Sequence, residues 1–443
     1  MYIFFIWMII ERGPKKLAGR KRREIRWDKL DNTANLFPVI AGESMTNVYR
    51  ISVKLKEEIQ PELLQEALNK VLPRMDGFNL RLRRGVFWYY FEENGKKAPK
   101  VVEENTFPCR FIHPSSNRDY LFRVTYYSCK INLEVFHVLT DGMGGINFIR
   151  ELTYQYLRLA HKDLQEKLGD EFSYNTSLNR EDSFIKNFKK KTKRGYKSQK
   201  AYLIKGDKLS DGEFGVMHIL MPLDEIKAVS KKYNATINEY LVACFVWSIY
   251  VECLKKMPSE KAIRVAVPVN LRPFFDSITT KNFFIMVSAE FIAKNEEYTF
   301  SEVLEIIKKS LHKQITKEHL ENLFSYSVAG QLNKFARPVP LFLKNAYMKM
   351  IYTKSALANT TTITNIGNLK VDEPYEKYID QFYAFIAMSE GQYIKGTICS
   401  YNGVLVYTFS SILADTSIQK CFCKQLVSDG ISVSIETNGV YSS

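Results

Sequence analysis

The chain has 443 residues, of which 46% are hydrophobic and 25% charged, and its formal net charge is +15. This composition is typical of a globular protein and excludes an intrinsically disordered chain, while the length favours two domains. The seven cysteines are odd in number and scattered, which argues against a disulfide framework and favours the reducing cytoplasm. The positive charge favours anionic partners, but no motif for binding nucleic acid accompanies it.

The first 26 residues form an apolar and basic leader. Residues 1–10 are almost wholly apolar, which is too short for a bilayer span of about 20 residues. The positive charge follows this run instead of preceding it as in a secretory signal. Three interpretations stay open: a shallow anchor on a membrane surface, an additional helix or strand, and a start codon assigned too early. The last is slightly favoured, because globular character begins at Trp27.

Residues 27–168 are expected to form a first α/β subdomain. Residues 48–55 alternate as a strand, and Pro61 stands where a helix would begin. Two short strands are predicted at residues 79–83 and 86–91, separated by Gly85. A strand over residues 121–127 is expected to pair antiparallel with the strand that follows it.

The most informative segment runs from residue 131 to residue 145. Its apolar residues alternate on one face of a strand, and His137 continues that face. Asp141 and Gly142 predict a tight turn, after which apolar residues recur at helical spacing to about residue 168. The segment therefore predicts a strand, a turn and a helix, with an imidazole at the strand end. That is where α/β proteins expose reactive side chains to a crevice.

Residues 169–200 are expected to link this subdomain to a second one, residues 201–443. Residues 186–200 contain eight lysines or arginines and no acid. A solvated linker is the simpler interpretation of this run, and a binding site for an anionic partner is the alternative.

The second half alternates between strand and helix patterns. Strands are predicted at residues 215–220, 262–269 and from 360, and helices at 224–233, 238–254, 301–314 and 340–351. Thr236 and Glu239 form a capping-box signature, and the helix that follows them is apolar almost all round, so it should be buried. The pair Asn402-Gly403 predicts a hairpin over residues 396–410. Cys421-x-Cys423 is expected to pack on a helix, since no second ligand pair accompanies it.

The pattern His137-x-x-x-Asp141-Gly142 resembles the active-site motif of the chloramphenicol-acetyltransferase-like superfamily, and three other segments support the resemblance. Residues 27–38 look like the opening of alcohol-acetyltransferase-like proteins. Asn270-Leu-Arg-Pro273 resembles a segment of condensation domains, and Thr364-Asn365-Ile-Gly367 resembles a strand end that faces the histidine. Together with the Asn-Gly hairpin, these segments cover the chain from residue 27 to about its end. Phe136 replaces the first histidine of the family's common pair, and the Asp-Phe-Gly-Trp-Gly element of the plant branch is absent.

This resemblance implies an α/β fold of two chloramphenicol-acetyltransferase-like subdomains, each a mixed sheet with flanking helices, and an active-site channel between them. It implies acyl transfer from a thioester, most simply acyl-CoA, to a hydroxyl or amine in a ternary complex. His137 would be the general base. Asp141 would pair with Arg272 and so hold the loop that turns at Gly142. Asn365 and Thr364 would be candidates for the oxyanion site or the substrate channel.

Each assignment has a structural alternative. His137 would serve equally as a hydrogen-bonded core histidine, Arg272 as a surface residue, and Asn365 as an ordinary turn residue. The other five histidines are interpreted as structural or exposed. No metal and no bound cofactor are expected.

The partners expected are acyl-CoA, or an acyl group on an acidic carrier protein, and a small-molecule alcohol or amine. The alternative functions are a condensation-type enzyme fed by carrier proteins and a non-catalytic binding protein with the same fold. The expected location is the cytoplasm, with peripheral membrane contact through residues 1–26 as an extension, and no nucleic acid is expected as a partner.

Overall fold

The computed structural model describes residues 27–168, 181–190, 199–294, 297–333 and 338–441. The leader of residues 1–26 and most of the expected linker lie outside the described residues, so their interpretation stays a prediction. Within the described ranges the chain forms three β-sheets with helices packed against them. None of these helices has the length and apolar character needed to cross a bilayer.

The described residues form fifteen strands and thirteen α-helices. In chain order the strands are β1 (Trp27–Lys29), β2 (Val48–Leu55), β3 (Leu80–Arg84), β4 (Tyr89–Glu93), β5 (Val102–Glu103), β6 (Phe122–Tyr127), β7 (Lys130–Phe136), β8 (Gly215–Pro222), β9 (Ile263–Asn270), β10 (Phe284–Phe291), β11 (Thr361–Asn368), β12 (Ile379–Ile386), β13 (Ile394–Tyr401), β14 (Val404–Ser411) and β15 (Ser434–Thr437). The helices are α1 (Phe37–Ile40), α2 (Pro61–Val71), α3 (Gly142–Ala160), α4 (Lys162–Leu168), α5 (Ser183–Lys186), α6 (Leu223–Lys232), α7 (Ile237–Glu252), α8 (Arg272–Phe275), α9 (Phe300–Gln314), α10 (Lys317–Leu332), α11 (Leu341–Ala356), α12 (Glu373–Glu376) and α13 (Ser417–Ser428).

The first sheet has five strands in the order β12-β2-β7-β6-β5. β7 lies between β2 and β6 and is antiparallel to both, which confirms the predicted pairing of β6 with β7. Ile131, Leu133 and Val135 on one face of β7 are fully buried in the first hydrophobic core, together with Phe148 and Ile149 of α3. This burial specifies the register of β7, because a slip by one residue would turn the apolar face away from the core.

The other face of β7 is also buried, although it carries a charge. Glu134 is fully buried, and its carboxylate pairs with the guanidinium groups of Arg50 and Arg123. Arg50 also pairs with Glu104. A buried carboxylate without a partner would be strongly destabilising, so these arginines are what permit Glu134 at this position.

The second sheet has seven strands in the order β10-β9-β11-β13-β14-β8-β15. The predicted capping box is present at the start of α7, where the Thr236 side chain accepts from the Glu239 backbone and the Glu239 side chain accepts from the Thr236 backbone. α7 is buried along most of its length in the second core, as its apolar sequence predicts. The predicted hairpin joins β13 to β14 through Asn402 and Gly403, which both have positive φ.

One strand of the second half of the chain lies in the first sheet. β12 pairs antiparallel with β2, whereas the strands before and after it, β11 and β13, pair with each other in the second sheet. Phe382 and Phe385 of β12 are buried in the first core. The expected division of the chain between residues 200 and 201 stays a prediction. The pairing of β12 with β2 joins the parts of the chain on the two sides of this division.

The third sheet is small, with the order β1-β4-β3. β3 and β4 form an antiparallel hairpin, and β1 pairs antiparallel with β4. The strands predicted at residues 79–83 and 86–91 are therefore present with shifted ends. In the tip of the hairpin, the Gly85 amide donates to the Trp88 carbonyl over 2.9 Å.

Several elements differ from the sequence prediction. The helix after the Asp141 turn ends at Ala160 instead of continuing to residue 168, because His161 takes an extended backbone conformation before α4 begins. β10 and α10 were not predicted. β10 is an edge strand of the second sheet whose register is set by antiparallel pairing with β9, a contact that local sequence does not reveal.

The described part of the expected linker packs on the second core. α5 lies within it, and Phe184 of this helix is 1% exposed. Two cations of the basic run are paired with acids, Lys186 with Glu181 at 3.0 Å and Lys189 with Glu321 at 2.6 Å. Residues 191–198 of the run lie outside the described residues.

The cysteines of the described residues are free thiols, and Cys421 and Cys423 lie on α13, as the packing interpretation predicts. In the parts of the chain that the structure describes, no group of three or more side chains is arranged to hold a metal ion.

Candidate active site

His137 lies in the turn directly after β7, at the place where the two sheets approach each other. Its backbone amide donates to the Asn47 carbonyl over 2.9 Å, which ties the turn to the start of β2. The imidazole stacks on the ring of Phe37 with 4.7 Å between centroids and meets the edge of Tyr49 at 5.2 Å. Phe284 of β10 approaches it from the second sheet at 5.5 Å. These rings leave the imidazole partly buried in apolar surroundings.

One ring nitrogen of His137 has a specific partner. Nδ1 lies 3.0 Å from Oδ1 of Asn282, which stands between α8 and β10. The Nδ2 group of Asn282 donates to Oδ2 of Asp31 over 3.0 Å, so its amide oxygen faces the histidine. Because an amide oxygen only accepts, Nδ1 of His137 must carry the proton. Nε2 then keeps its lone pair and is the nitrogen able to accept a proton from a ligand.

Asp31 is itself held by backbone donors. Its carboxylate accepts from the amide of Ala34 over 2.7 Å and from the amide of Asn282 over 3.2 Å. Burial raises the pKa of Asp31 to about 6, although the hydrogen bonds from Asn282 and Ala34 oppose this shift. At neutral pH Asp31 is therefore a buried carboxylate surrounded by N–H donors, and it fixes which way the Asn282 amide points.

The pKa of His137 is lowered from its ordinary value, chiefly because burial disfavours the imidazolium. The charge of Lys395 lowers it further, while Asp141 and the hydrogen bond to Asn282 oppose the shift. The imidazole is consequently neutral at pH 7, the form in which it accepts a proton.

Lys395, at the start of β13, is a buried lysine whose charge lowers the pKa of His137. Its Nζ donates to the Ala387 carbonyl over 2.8 Å and to the hydroxyl of Ser389. Burial lowers the pKa of Lys395 to about 7. Its position near the histidine arises from the tertiary fold and carries no motif in the sequence.

Asp141 is the N-cap of α3 and binds three groups. One carboxylate oxygen accepts from the Met143 amide over 3.2 Å. The other lies 2.8 Å from Nη1 of Arg272 and accepts from the Phe283 amide over 3.2 Å. The side chains of Asp141 and Arg272 are only 8% and 12% exposed. The ion pair expected from the sequence is therefore present, and it joins the turn after β7 to α8 of the second half.

The guanidinium of Arg272 is held on its other sides by backbone oxygens. Nε donates to the Thr279 carbonyl over 2.9 Å, and Nη2 donates to the Lys281 carbonyl over 2.8 Å. These contacts fix the segment between α8 and β10, which carries Asn282. The same arginine thus positions both the loop of His137 and the partner of its imidazole.

The start of α3 is packed so closely that only glycine fits at two positions. A Cβ on Gly144 would lie 1.9 Å from Oγ1 of Thr140, and one on Gly145 would lie 2.7 Å from the Tyr49 hydroxyl. That hydroxyl donates to the Asp141 carbonyl over 2.9 Å. The close approach brings Tyr49 against both the loop and the imidazole.

The end of β11 lies beside this loop. A Cβ on Gly142 would be 3.3 Å from Cγ2 of Ile366, so the two segments are in contact. Asn365 is exposed, and its Oδ1 accepts from the Gly367 amide over 2.8 Å, within its own turn. Thr364 is partly buried. The strand end is thus near the histidine loop as expected, and the roles of Asn365 and Thr364 stay predictions.

Sequence reasoning missed Asn282 and Asp31. Asp31 lies in the segment of residues 27–38 that carries the resemblance, but no role was assigned to it there, and Asn282 belongs to no motif. The segment between α8 and β10, residues 276–283, is mostly polar and ends in one phenylalanine. This is too common a pattern to indicate a partner for a histidine.

The four other histidines with described contacts bind other groups. His113 and His312 are exposed and lie beside glutamates, and His161 stacks on Tyr378. His218 is buried, with Nδ1 2.8 Å from the hydroxyl of Thr408. These contacts agree with the structural or exposed roles expected for them.

No protein-family model matches the sequence, and no curated protein matches it. Solved structures do match. TRI101 of F. graminearum, complexed with ethyl coenzyme A, has a TM-score of 0.62 over 92% of this chain and 99% of that chain, at 11% identity. TRI3 trichothecene 15-O-acetyltransferase of F. sporotrichioides has a TM-score of 0.58 over 91% and 94%, at 10% identity.

A third similar structure is polyketide synthase associated protein 5 of Mycobacterium tuberculosis, with a TM-score of 0.55 over 91% of this chain and 99% of that chain, at 12% identity. These likenesses confirm the predicted fold class. The chain has the α/β fold seen in TRI101, in TRI3 trichothecene 15-O-acetyltransferase and in the condensation domain of the polyketide synthase MokA.

Proposed function

We propose that the chain is an acyltransferase that moves an acyl group from an acyl thioester, acyl-CoA, to a hydroxyl or amine. The observation that carries the proposal is the state of His137. Its Nδ1 is bonded to an acceptor, its Nε2 is unengaged by that bond, and its pKa is lowered so that it is neutral at pH 7. Similar folds are complexed with CoA compounds in TRI101 structures, which supports a thioester donor.

In the proposed reaction Nε2 of His137 removes the proton from the acceptor hydroxyl or amine as this group attacks the thioester carbonyl carbon. A new bond forms from the acceptor oxygen or nitrogen to that carbon, and its carbonyl oxygen becomes an oxyanion. When the oxyanion collapses, the carbon–sulfur bond breaks, and the thiolate takes the proton from His137 to leave as a thiol. No covalent acyl-enzyme is needed, because both reactants are bound together.

Asn282 and Asp31 are positioning residues in this proposal. The Asn282 oxygen holds the Nδ1 proton and so keeps Nε2 deprotonated, and Asp31 keeps the Asn282 amide from turning over. Asp141 and Arg272 hold the loop that carries the histidine. This loop turns into α3 at Gly142. Asn365 and Thr364 are proposed as donors to the oxyanion or as channel residues.

The second candidate is a condensation-type enzyme whose donor is bound to a carrier protein. The net charge of +15 favours it, because an acidic carrier would be attracted to a basic surface. The first condensation domain of the calcium-dependent antibiotic synthetase has a TM-score of 0.54 with this chain at 10% identity. A non-catalytic binding protein is the remaining alternative.

The test is thiol release from two kinds of donor, acetyl-CoA with longer acyl-CoAs and carrier-bound acyl groups, each with and without a panel of alcohols and amines. Acceptor-dependent release supports the first proposal. Release only from carrier-bound acyl groups supports the second. If neither donor is consumed by a folded protein with any acceptor of the panel, the non-catalytic alternative stands.

A further inference from the structure

α11 turns an apolar face outward. In most surface helices the apolar stripe faces the core and the polar residues face water. In α11 only the two end residues, Leu341 and Ala356, are buried. Five large apolar side chains are between 45% and 62% exposed: Phe342, Leu343, Tyr347, Met350 and Ile351.

These five positions lie on one half of the helix surface, because the last four follow Phe342 by one, five, eight and nine places at 3.6 residues per turn. The opposite side of α11 meets the protein. There Nδ2 of Asn345 donates to the Tyr89 hydroxyl over 2.8 Å, and the Tyr352 hydroxyl lies 3.1 Å from Sδ of Met45. The helix is therefore anchored through the side opposite to these five residues, which it presents away from the fold.

The tip of the β3–β4 hairpin extends this surface. Its three consecutive residues Val86, Phe87 and Trp88 are 71%, 37% and 55% exposed. The hairpin is fastened to the start of α11, since the Leu341 amide donates to the Val86 carbonyl over 2.8 Å. We call the eight exposed side chains of these two elements the apolar ridge: Val86, Phe87, Trp88, Phe342, Leu343, Tyr347, Met350 and Ile351.

The charged side chains of α11 itself are all positive. α11 contains Lys344, Lys349 and Lys354 and no acidic residue. Arg83 and Arg84 directly precede the hairpin tip, and Arg84 is exposed. Glu92, which lies across the hairpin, is already paired with Arg81 and Arg83. An apolar surface bordered by lysines matches a bilayer whose headgroups are anionic.

We propose that the apolar ridge binds the surface of an anionic lipid bilayer, with its apolar side chains in the interfacial layer and its lysines at the headgroups. Monomeric soluble proteins seldom expose a contiguous apolar surface of this kind without a partner. A second copy of the chain fits less well, because a face-to-face pair would bring like-charged lysines together. The proposal does not depend on the proposed function and uses residues other than the leader.

The ridge lies near the candidate active site. α11 contacts α1, and Phe37 at the start of α1 stacks on the imidazole of His137. A bilayer bound at the ridge would therefore be separated from His137 by one short helix.

The experiment is sedimentation of the full-length protein with vesicles of phosphatidylcholine, with and without phosphatidylserine. Wild type is expected to bind the anionic vesicles. The variant Phe342→Gln/Tyr347→Gln/Met350→Gln is expected to lower the partition coefficient on the order of 100-fold, since each inserted apolar side chain contributes to binding. Lys349→Gln/Lys354→Gln should lower it about 5-fold or more on anionic vesicles only.

The matched control is Met257→Gln/Val427→Gln, which removes two apolar side chains of similar exposure, 58% and 59%, elsewhere on the surface. It should bind like wild type, and circular dichroism should show all variants folded. The proposal is overturned if wild type does not sediment with anionic vesicles. It is also overturned if the ridge variant binds as wild type does, which would assign binding to another segment. A dimer in analytical ultracentrifugation that the ridge variant dissociates would show a subunit interface instead.

Discussion

The imidazole of His137 can act as a base only if the proton sits on the correct nitrogen. Asn282 decides this, because the oxygen of its amide faces Nδ1 while its Nδ2 group is engaged by Asp31. The neutral form of the ring is favoured by burial among Phe37 and Tyr49. Tautomer and protonation state are thus set by neighbours that come from three separate parts of the chain.

The first prediction concerns the base. His137→Ala should reduce turnover on the order of 10² to 10⁴-fold, the usual contribution of a general base, with the free energy of unfolding little changed. Steady-state acyl transfer and denaturant unfolding measure the two effects. His113→Ala is the matched control, because that histidine is exposed, and it should act as wild type. Full activity of His137→Ala would refute the proposed mechanism.

A second prediction concerns Asn282. Asn282→Ala removes the acceptor of the Nδ1 proton, so the imidazole can adopt the other tautomer. Turnover should fall roughly 10- to 100-fold. Asn282→Asp keeps an acceptor but brings a carboxylate to Nδ1, which raises the pKa of His137.

The pH profile of kcat/KM distinguishes these effects from simple misfolding. In wild type the acid limb should lie below the ordinary histidine pKa, because the pKa of His137 is lowered and activity is lost as pH falls through it. Asn282→Asp should move this limb to higher pH. An unmoved limb in Asn282→Asp, with normal turnover in Asn282→Ala, would show that Asn282 does not position the histidine.

Among the secondary-structure elements, the turn between β7 and α3 carries the tightest packing. Tyr49 of β2 fills the space over Gly145 and donates to the Asp141 carbonyl, and Arg272 of α8 pairs with the Asp141 carboxylate. The loop of His137 is therefore held both by contacts from its own sheet and by contacts from the second half of the chain.

The third prediction tests the close approach at Gly145. Gly145→Ala places a Cβ 2.7 Å from the Tyr49 hydroxyl, so Tyr49 must move away from both the loop and the imidazole. Stability should fall by about 1–3 kcal/mol, as for other overpacked positions, and activity should fall with it. Gly95→Ala is the control, since nothing lies within 4 Å of its Cβ position. Equal effects of the two substitutions would contradict the packing argument.

The fourth prediction concerns the Asp141–Arg272 pair. Each side chain is mostly buried, so Asp141→Ala or Arg272→Ala leaves one uncompensated charge, at a cost of about 3–5 kcal/mol. Asp141→Asn should cost less. The double variant should cost less than the sum of the single variants, because neither charge then remains alone. Urea unfolding of the four proteins measures the coupling, and additive effects would mean that the pair contributes no coupling energy.

For the molecule as a whole, the position of β12 in the first sheet links the two halves of the chain. The chain leaves the second sheet after β11, pairs with β2 in the first sheet as β12, and returns to the second sheet as β13. The first sheet is therefore incomplete without a strand from residues 201–443, which form the whole of the second sheet. Independent folding of residues 27–168 would expose the edge of β2 that β12 covers.

The fifth prediction follows from the position of β12 in the first sheet. The protein should unfold in one transition, with far-ultraviolet circular dichroism and tryptophan fluorescence coinciding. Phe382 of β12 is 1% exposed. Phe382→Ala should therefore lower the free energy of unfolding by about 3–5 kcal/mol and shift the single midpoint down. Phe291→Ala, fully buried in the second core, is the matched comparison and should lower the same midpoint. Two transitions, each shifted by only one of the substitutions, would show independent subdomains.

Elements whose signals are local could be predicted from the sequence. The alternation before His137, the Asp-Gly turn, the capping box of α7 and the Asn-Gly hairpin depend on neighbouring residues only, and each is present. The motif around Asp141 also led to Arg272, because a family resemblance carries information about distant contacts.

Tertiary structure decided what contacts what. It brought Asn282 and Asp31 to the imidazole, moved β12 into the first sheet, and set Lys395 near the site, since such contacts depend on how sheets pack and not on local pattern. The apolar residues of α11 predicted a helix correctly, but apolar periodicity does not say what covers the apolar face. In α11 the fold anchors one side, where Asn345 bonds to Tyr89, and leaves the large apolar side chains of the other side exposed.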